Sequence, residues 1–436
     1  MNRYQLQKFV ALCLFVFVFT QCKKDFSSAG SDAVSQTQSA SGQEIALSKW
    51  GVVINCSAPS SSEAEDHTEL NFMEPAQKVT LAGEYGVTYI RCGITKEKWD
   101  DSKDGFLYTY DQYTDKGFRI LLNIIWKEPV KSKTGEMTPV PFVTNAGDKT
   151  GDYYKYVKDV VETLTSPEHK RPAGVVVENE ETNKLYHVLD GGEKDYHKYI
   201  GMLNAVIEIC KPKGIDVTNG GLTARALTFA THDWLNSFSH RKEEAKTYAY
   251  NSMPPSAYHT LYPPCPEGIY PIGKDNIAKQ ADMINYYIDH YKSMDMNYIN
   301  VHWYEPVKMR YWDESRNNGT PWKAGVNKNE ISEGALEGMV EYISKKASPK
   351  KVISNEIGQL TNSDCLTKKI MNKIDERPYG AFTVATWYDS DAGELYGAKA
   401  LHNTYTNDPF YGLRNTGIMF REIIKNPSGN KSCSPL

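Results

Sequence analysis

From Trp50 onward the chain repeats one pattern. A short apolar or β-branched run is followed by a polar loop and then by a segment with helical spacing of its apolar residues. Runs of strand character lie at 50–55, 87–91, 119–125, 174–177, 215–218, 298–301, 351–354 and 381–386. Helical spacing falls between them, most clearly at 153–164, 194–210, 277–294 and 332–346. Hairpin spacing is missing, so the strands are expected to run parallel. Gly117 and Gly214 stand where helices should stop before the next strand. Eight strands in this rhythm predict an α/β fold, a (β/α)8 TIM barrel, with long insertions after strands three and five at 127–152 and 239–275. A doubly wound open sheet shares the alternation. However, the first strand runs into Cys56-Ser57-Ala58-Pro59 and not into a Gly-x-Gly-x-x-Gly turn, so the phosphate cradle of that fold is missing.

Residues before 46 follow a different pattern. Arg3 and Lys8 precede an unbroken apolar run of eleven residues, 9–19, which is too short to cross about 30 Å of hydrocarbon as a helix. This is a signal-peptide pattern over 1–21. The stretch Phe19-Thr20-Gln21-Cys22-Lys23-Lys24 resembles the lipidation site of Gram-negative bacterial lipoproteins, with Cys22 as the acylated residue, although Phe19 and Gln21 depart from its usual small residues. The expected location is the cell envelope, either as an outer-membrane lipoprotein or as a periplasmic or secreted protein. The segment 22–45, rich in Ser, Ala, Gly and Gln, reads as a flexible tether ahead of one catalytic-size domain, 46–436.

Composition narrows the function. The net charge of −4 lacks the cationic excess that a phosphate-binding surface needs, so nucleic acid is not expected as a partner. The 29 Tyr, 14 Phe and 8 Trp suit sugar faces as well as cores. Cys56, Cys92, Cys210, Cys265, Cys365 and Cys433 show no CxxC spacing and so no zinc pattern; some can pair, Cys265 with Cys365 being conceivable. His232, Asp233 and His240 match no metal-ligand set either.

In a barrel of this kind the chemistry sits where the strands end. Those ends carry Arg91, then Glu178-Asn179-Glu180, then His302-Trp303-Tyr304, then Asn355-Glu356, and last Trp387-Tyr388-Asp389. Acids directly after β-branched runs at two nearly opposite strands are poor packing residues. Two carboxyl groups about 5 Å apart across a barrel mouth can divide the work of glycoside hydrolysis with retention, one protonating the leaving oxygen and one attacking the anomeric carbon. Arg, His and Tyr neighbours are the types that separate two carboxyl pKa values.

The set Arg91, Asn179-Glu180, His302-x-Tyr304, Asn355-Glu356-Ile357-Gly358 and Trp387, in that strand order, resembles the clan A retaining glycoside hydrolases, most closely the family 5 type. The resemblance spans about 50–389 and implies roles. Glu180 would be the general acid/base and Glu356 the nucleophile. Asn179 would touch the sugar 2-hydroxyl, Tyr304 would bond to the nucleophile, Trp387 would floor the subsite at the cleaved sugar, and His302 and Arg91 would be supporting donors. No cofactor and no metal are implied, and the partner is a carbohydrate substrate met by a monomer, with membrane contact only through a lipid on Cys22. Two departures stand out: family 5 has a His at the end of strand three where this chain has Asn123 and Trp126, and Glu181 replaces the usual Pro. Three acids, Glu178, Glu180 and Glu181, therefore compete for the acid position. The alternative to an enzyme is a catalytically inactive glycan-binding lipoprotein on the same scaffold.

Overall fold

A computed structural model describes residues 48–54, 56, 75–132, 136–265, 270–304, 335–359, 364–375, 382–389, 401, 413–427 and 432–433. The expected leader, the tether and Cys22 lie outside the described residues. Eight parallel strands carry the barrel: β1 (Trp50–Val53), β2 (Tyr89–Thr95), β3 (Arg119–Ile125), β4 (Gly174–Val177), β5 (Asp216–Asn219), β6 (Tyr298–Tyr304), β7 (Lys351–Gly358) and β8 (Phe382–Tyr388). Their order in the sheet is β5-β4-β3-β2-β1-β8-β7-β6, and the short strand Leu222–Thr223 adds on beyond β6.

The two ends of that order are consecutive in the chain. β5 pairs with β4, and Leu222–Thr223 pairs with β6, so the fifth strand is broken at Gly220-Gly221 and each half closes one side of the seam. Amide side chains replace ladder bonds across the break. Asn300 donates its backbone N–H to Asn219 Oδ1 (2.7 Å), while Asn219 Nδ2 donates to the Asn300 carbonyl (2.9 Å). Gly221 has φ +121, and a Cβ there would lie 2.2 Å from the His302 ring, so the break needs glycine on both counts.

Helices surround the strands because their apolar residues recur on one face. In the helix Asp152–Leu164 the buried residues include Tyr153, Val157, Val160, Val161 and Leu164. Gly117 and Gly214 take the left-handed φ values of 90° and 65° expected of stop positions. Two hydrophobic clusters follow the strand alternation. Ile90, Ile120, Leu122, Val352 and Ala385 join the large cluster shared with the helices. Tyr89, Leu121, Ile353 and Val384 form a second cluster that plugs the barrel interior.

Several expectations are corrected. β2, β6, β7 and β8 run two to four residues further than their apolar runs, because polar residues facing a barrel interior leave the backbone ladder intact. The second insertion is largely helical, Lys242–Ser252 and Pro255–Leu261, and its Ala245 and Tyr248 pack with Leu235 and Trp234 on the helical layer. Cys265 and Cys365 are not bonded to each other; the disulfide joins Cys56 and Cys92, at the end of β1 and within β2.

Candidate active site

The site grows from the interior plug by strand periodicity. Two residues beyond Tyr89, Leu121, Tyr298 and Ile353 come Arg91, Asn123, Asn300 and Asn355, all buried. A polar layer therefore sits directly on an apolar one. Arg91 Nε donates to Asn123 Oδ1 (3.2 Å), Asn355 Nδ2 donates to the same oxygen (2.9 Å), and Asn300 Nδ2 donates to Asn355 Oδ1 (2.6 Å). Every buried amide of the layer is paired, as a low-dielectric interior requires.

Glu356 reaches this layer through an irregularity. The pairing of β7 slips against β6 between Ile353 and Glu356 and against β8 between Ser354 and Ile357. A bulge of this kind lets two successive residues, Asn355 and Glu356, both serve the interior. Arg91 Nη1 forms an ion pair with Glu356 Oε2, Tyr304 Oη donates to Oε1, and His302 Nδ1 lies 3.8 Å from Oε2. Burial alone would raise the Glu356 pKa. The charges of His302 and Arg91 and the Tyr304 donor outweigh it and lower the carboxyl to about 2. Glu356 is thus held as a carboxylate.

Glu180 sits on a strained turn. Glu178 and Glu180 both have positive φ, 62° and 48°, a region non-glycine residues seldom occupy. The acids on either side of the Asn179-Glu180 pair hold it in place. Glu178, buried, accepts the Trp126 N–H (2.9 Å), and burial pushes its carboxyl up to about 8. Glu181, also buried, accepts from Asn219 Nδ2 and Tyr291 Oη (2.7 Å each), and burial pushes it up to about 7. Glu178 and Glu181 are thus spent on other partners, and of the three acids it is Glu180 that bonds to His302, through Oε1 and Nδ1 at 3.0 Å, while Asn183 donates to its Oε2. Asn179 accepts from Arg91 Nη2 through Oδ1 (2.7 Å). Burial would lower the His302 pKa, but the charges of Glu356 and Glu180 raise it above the ordinary 6.5.

The structure brings together Arg91, Asn179, Glu180, His302, Tyr304 and Glu356. One donor atom each from Glu180, His302 and Glu356 lie within 4.8 Å of one another. That trio is the one grouping among the described residues with metal-ligand geometry. Both Glu356 oxygens already meet protein donors, Oε2 from Arg91 and Oε1 from Tyr304. Trp387 does not join them: it is fully buried, its ring 5.5 Å from that of Phe420 in the outer cluster, so it offers no face to a sugar. Strand parity explains this, since Val384, Thr386 and Tyr388 share the inner side of β8 and Trp387 the outer. The residue missed by sequence reasoning is Tyr388, half-buried and 6.2 Å from the Tyr304 ring. Asn355 stood in the strand-end set, whereas Asn300 was not singled out, its link to the site being its place two residues beyond Tyr298 on β6. Trp126, just past β3, is half-buried against Tyr153 and Tyr156 (5.8 and 6.2 Å).

No family model matches the chain, and no curated protein does. Solved structures do. A β-glucosidase from Exiguobacterium marinum superposes with a TM-score of 0.51 at 8% identity, over 88% of this chain and 98% of that one. A β-glucosidase mutant derived from a hyperthermophilic tetrameric structure gives 0.51 at 10% identity, over 88% and 95%. Identity this low speaks for architecture alone: the chain is a (β/α)8 TIM barrel, built like these glycosidases.

Proposed function

We propose that the protein is a retaining glycoside hydrolase that cleaves O-glycosidic bonds of a polysaccharide or oligosaccharide by double displacement. The observation that carries this reading is the closeness of Glu180 and Glu356, one oxygen of each lying within 4.8 Å of the other, with His302 3.0 Å from Glu180 and 3.8 Å from Glu356 between them. Retention needs carboxyl groups about 5 Å apart, whereas inversion needs a wider gap, at least about 6.5 Å, to seat a water.

In this reading Glu356, ionised by Arg91, His302 and Tyr304, attacks the anomeric carbon as the aglycone oxygen leaves. Glu180 supplies the proton to that oxygen, and the Glu180–His302 contact stores it. In the second step Glu180 takes a proton from water, and the water oxygen displaces Glu356 from the glycosyl-enzyme. Asn179 commits its oxygen to Arg91, which leaves its amide N–H2 as donor toward a sugar hydroxyl. The test is hydrolysis across a panel of purified polysaccharides and aryl glycosides. Glu356→Gln and Glu180→Ala, checked for native circular dichroism, are expected to lose it; activity at wild-type level in either variant overturns the assignment.

We also propose export on residues 1–21 and anchoring through an acylated Cys22, with the leader pattern and the Cys56–Cys92 disulfide, a bond of oxidising compartments, as support. Fatty-acid labelling lost in Cys22→Ser is the expected result; labelling that persists overturns the anchor.

A further inference from the structure

We infer that Asn355 is a positioning residue that fixes the tautomer of His302, placing the hydrogen on Nε2 and leaving Nδ1 as the atom that exchanges a proton with Glu180. The inference deepens the hydrolase reading and rests on it only for its kinetic arm.

Hydrogen-bond polarity is fixed here by groups that have no choice of role. Arg91 Nε can only donate, and it points at Asn123 Oδ1 (3.2 Å). The Glu178 carbonyl can only accept, and it receives Asn123 Nδ2 (3.3 Å). Asn123 is therefore oriented from both ends, with its oxygen toward Asn355, and Asn355 must present Nδ2 to it (2.9 Å). The other side agrees. The backbone N–H of Asn355 can only donate, and it bonds to Asn300 Oδ1 (2.9 Å), so Asn300 presents Nδ2 to Asn355 Oδ1 (2.6 Å). Asn355 Oδ1 is thus an acceptor by two independent chains of reasoning. It lies 2.8 Å from His302 Nε2. A bare Nε2 would set one lone pair against another at hydrogen-bond distance in a dry interior, so Nε2 carries the hydrogen.

What remains is Nδ1, 3.0 Å from Glu180 Oε1 and 3.8 Å from Glu356 Oε2. The ionisable groups around the ring are Glu180 and Glu181 from the end of β4, Glu356 from β7, Arg91 from β2 and Tyr304 from β6 itself. Gly221 lies beneath the ring, close enough that a Cβ there would collide with it. With Nε2–H fixed, the proton on the Nδ1–Oε1 axis sits either on the imidazolium or on the acid, and in both cases it faces the mouth. The opposite tautomer would put a permanent N–H against Glu180 and no exchangeable proton behind it.

The test reads the ring directly by long-range 1H–15N correlation NMR on protein labelled with 15N-histidine, the His302 signals being assigned by their loss in His302→Gln. Above its titration midpoint, wild-type His302 is expected as the Nε2–H tautomer. Asn355→Leu, similar in size but with no acceptor, is expected to release the tautomer and to lower kcat about tenfold or more with KM little changed. Asn355→Asp keeps an oxygen against Nε2, either as a carboxylate or protonated on the atom facing Asn123, and is expected to restore the Nε2–H signature. Wild-type His302 found as Nδ1–H, or an unchanged tautomer in a folded Asn355→Leu, overturns the inference. The two readings fail separately. An inert wild type with Nε2–H refutes the hydrolase and leaves the lock standing, whereas an active wild type with Nδ1–H does the reverse.

Discussion

The same dipeptide, Asn–Glu, occurs at two places on the barrel rim and is treated in opposite ways. Asn179-Glu180 follows β4 on a left-handed turn, flanked by Glu178 and Glu181, two acids whose carboxyls burial pushes up to about 8 and about 7. Asn355-Glu356 lies inside β7 at a bulge and is surrounded by Arg91, His302 and the Tyr304 hydroxyl. One carboxyl is thus seated between two buried acids and against the His302 ring, and the other among donors and a fixed cation. In the proposed hydrolase, environment and not residue type would assign the two carboxyl groups their different roles.

In the proposed hydrolase the contrast between the two carboxyl groups is lost most severely at Glu356. Glu356→Gln is expected to lower kcat by several orders of magnitude, measured on an aryl glycoside that the wild type cleaves. Glu180→Ala is expected to cost on the order of 10²–10⁴-fold with poor leaving groups and much less with activated ones. Azide should rescue it and form a glycosyl azide of retained configuration; rescue of Glu356→Gln with that product would reverse the two roles. Tyr304→Phe is a milder probe. Its hydroxyl helps hold Glu356 far below the usual carboxylate range, so its loss should move the acidic limb of the kcat/KM profile to higher pH. The opposite limb belongs to His302, whose pKa is raised, and activity should fall as pH climbs through a value above 6.5.

The smallest expected effect on catalysis is at Glu178, where stability is the readout. Its folded pKa, about 8, exceeds the ordinary 4.5. The neutral acid's contribution is therefore complete below about pH 4.5 and lost as pH rises through about 8. Glu178→Gln should flatten this decline, worth at most a few kcal/mol, when unfolding is followed by denaturant titration across that window. An unchanged slope would show that Glu178 does not hold the turn as a neutral acid.

Much of this contrast was legible in the chain. The bounds of β3 and β4 matched their apolar runs, and the order of Arg91, Asn179-Glu180, His302-x-Tyr304 and Asn355-Glu356 carried the site. Alternation sends Trp303 on β6 to the helix-facing side; the same alternation on β8 assigns Trp387 to the helices and Tyr388 to the interior. Residue type outweighed parity there, since a strand-end Trp is the expected sugar platform. The bulge in β7 could not be read, because a two-residue period alone sends Asn355 and Glu356 to opposite faces. The break in β5 had a signal, Gly220-Gly221, but its meaning depends on His302, which lies 81 residues beyond Gly221 in the chain. The Cys56–Cys92 pair needed the strand neighbours to be known first.

Covalent capture tests the division of labour most directly. Incubation with activated 2-deoxy-2-fluoro glycosides of gluco, manno and xylo configuration, followed by intact-mass measurement and peptide mapping, should show one fluoroglycosyl group esterified to Glu356. An adduct mapped to Glu180 or to any other side chain would contradict the account.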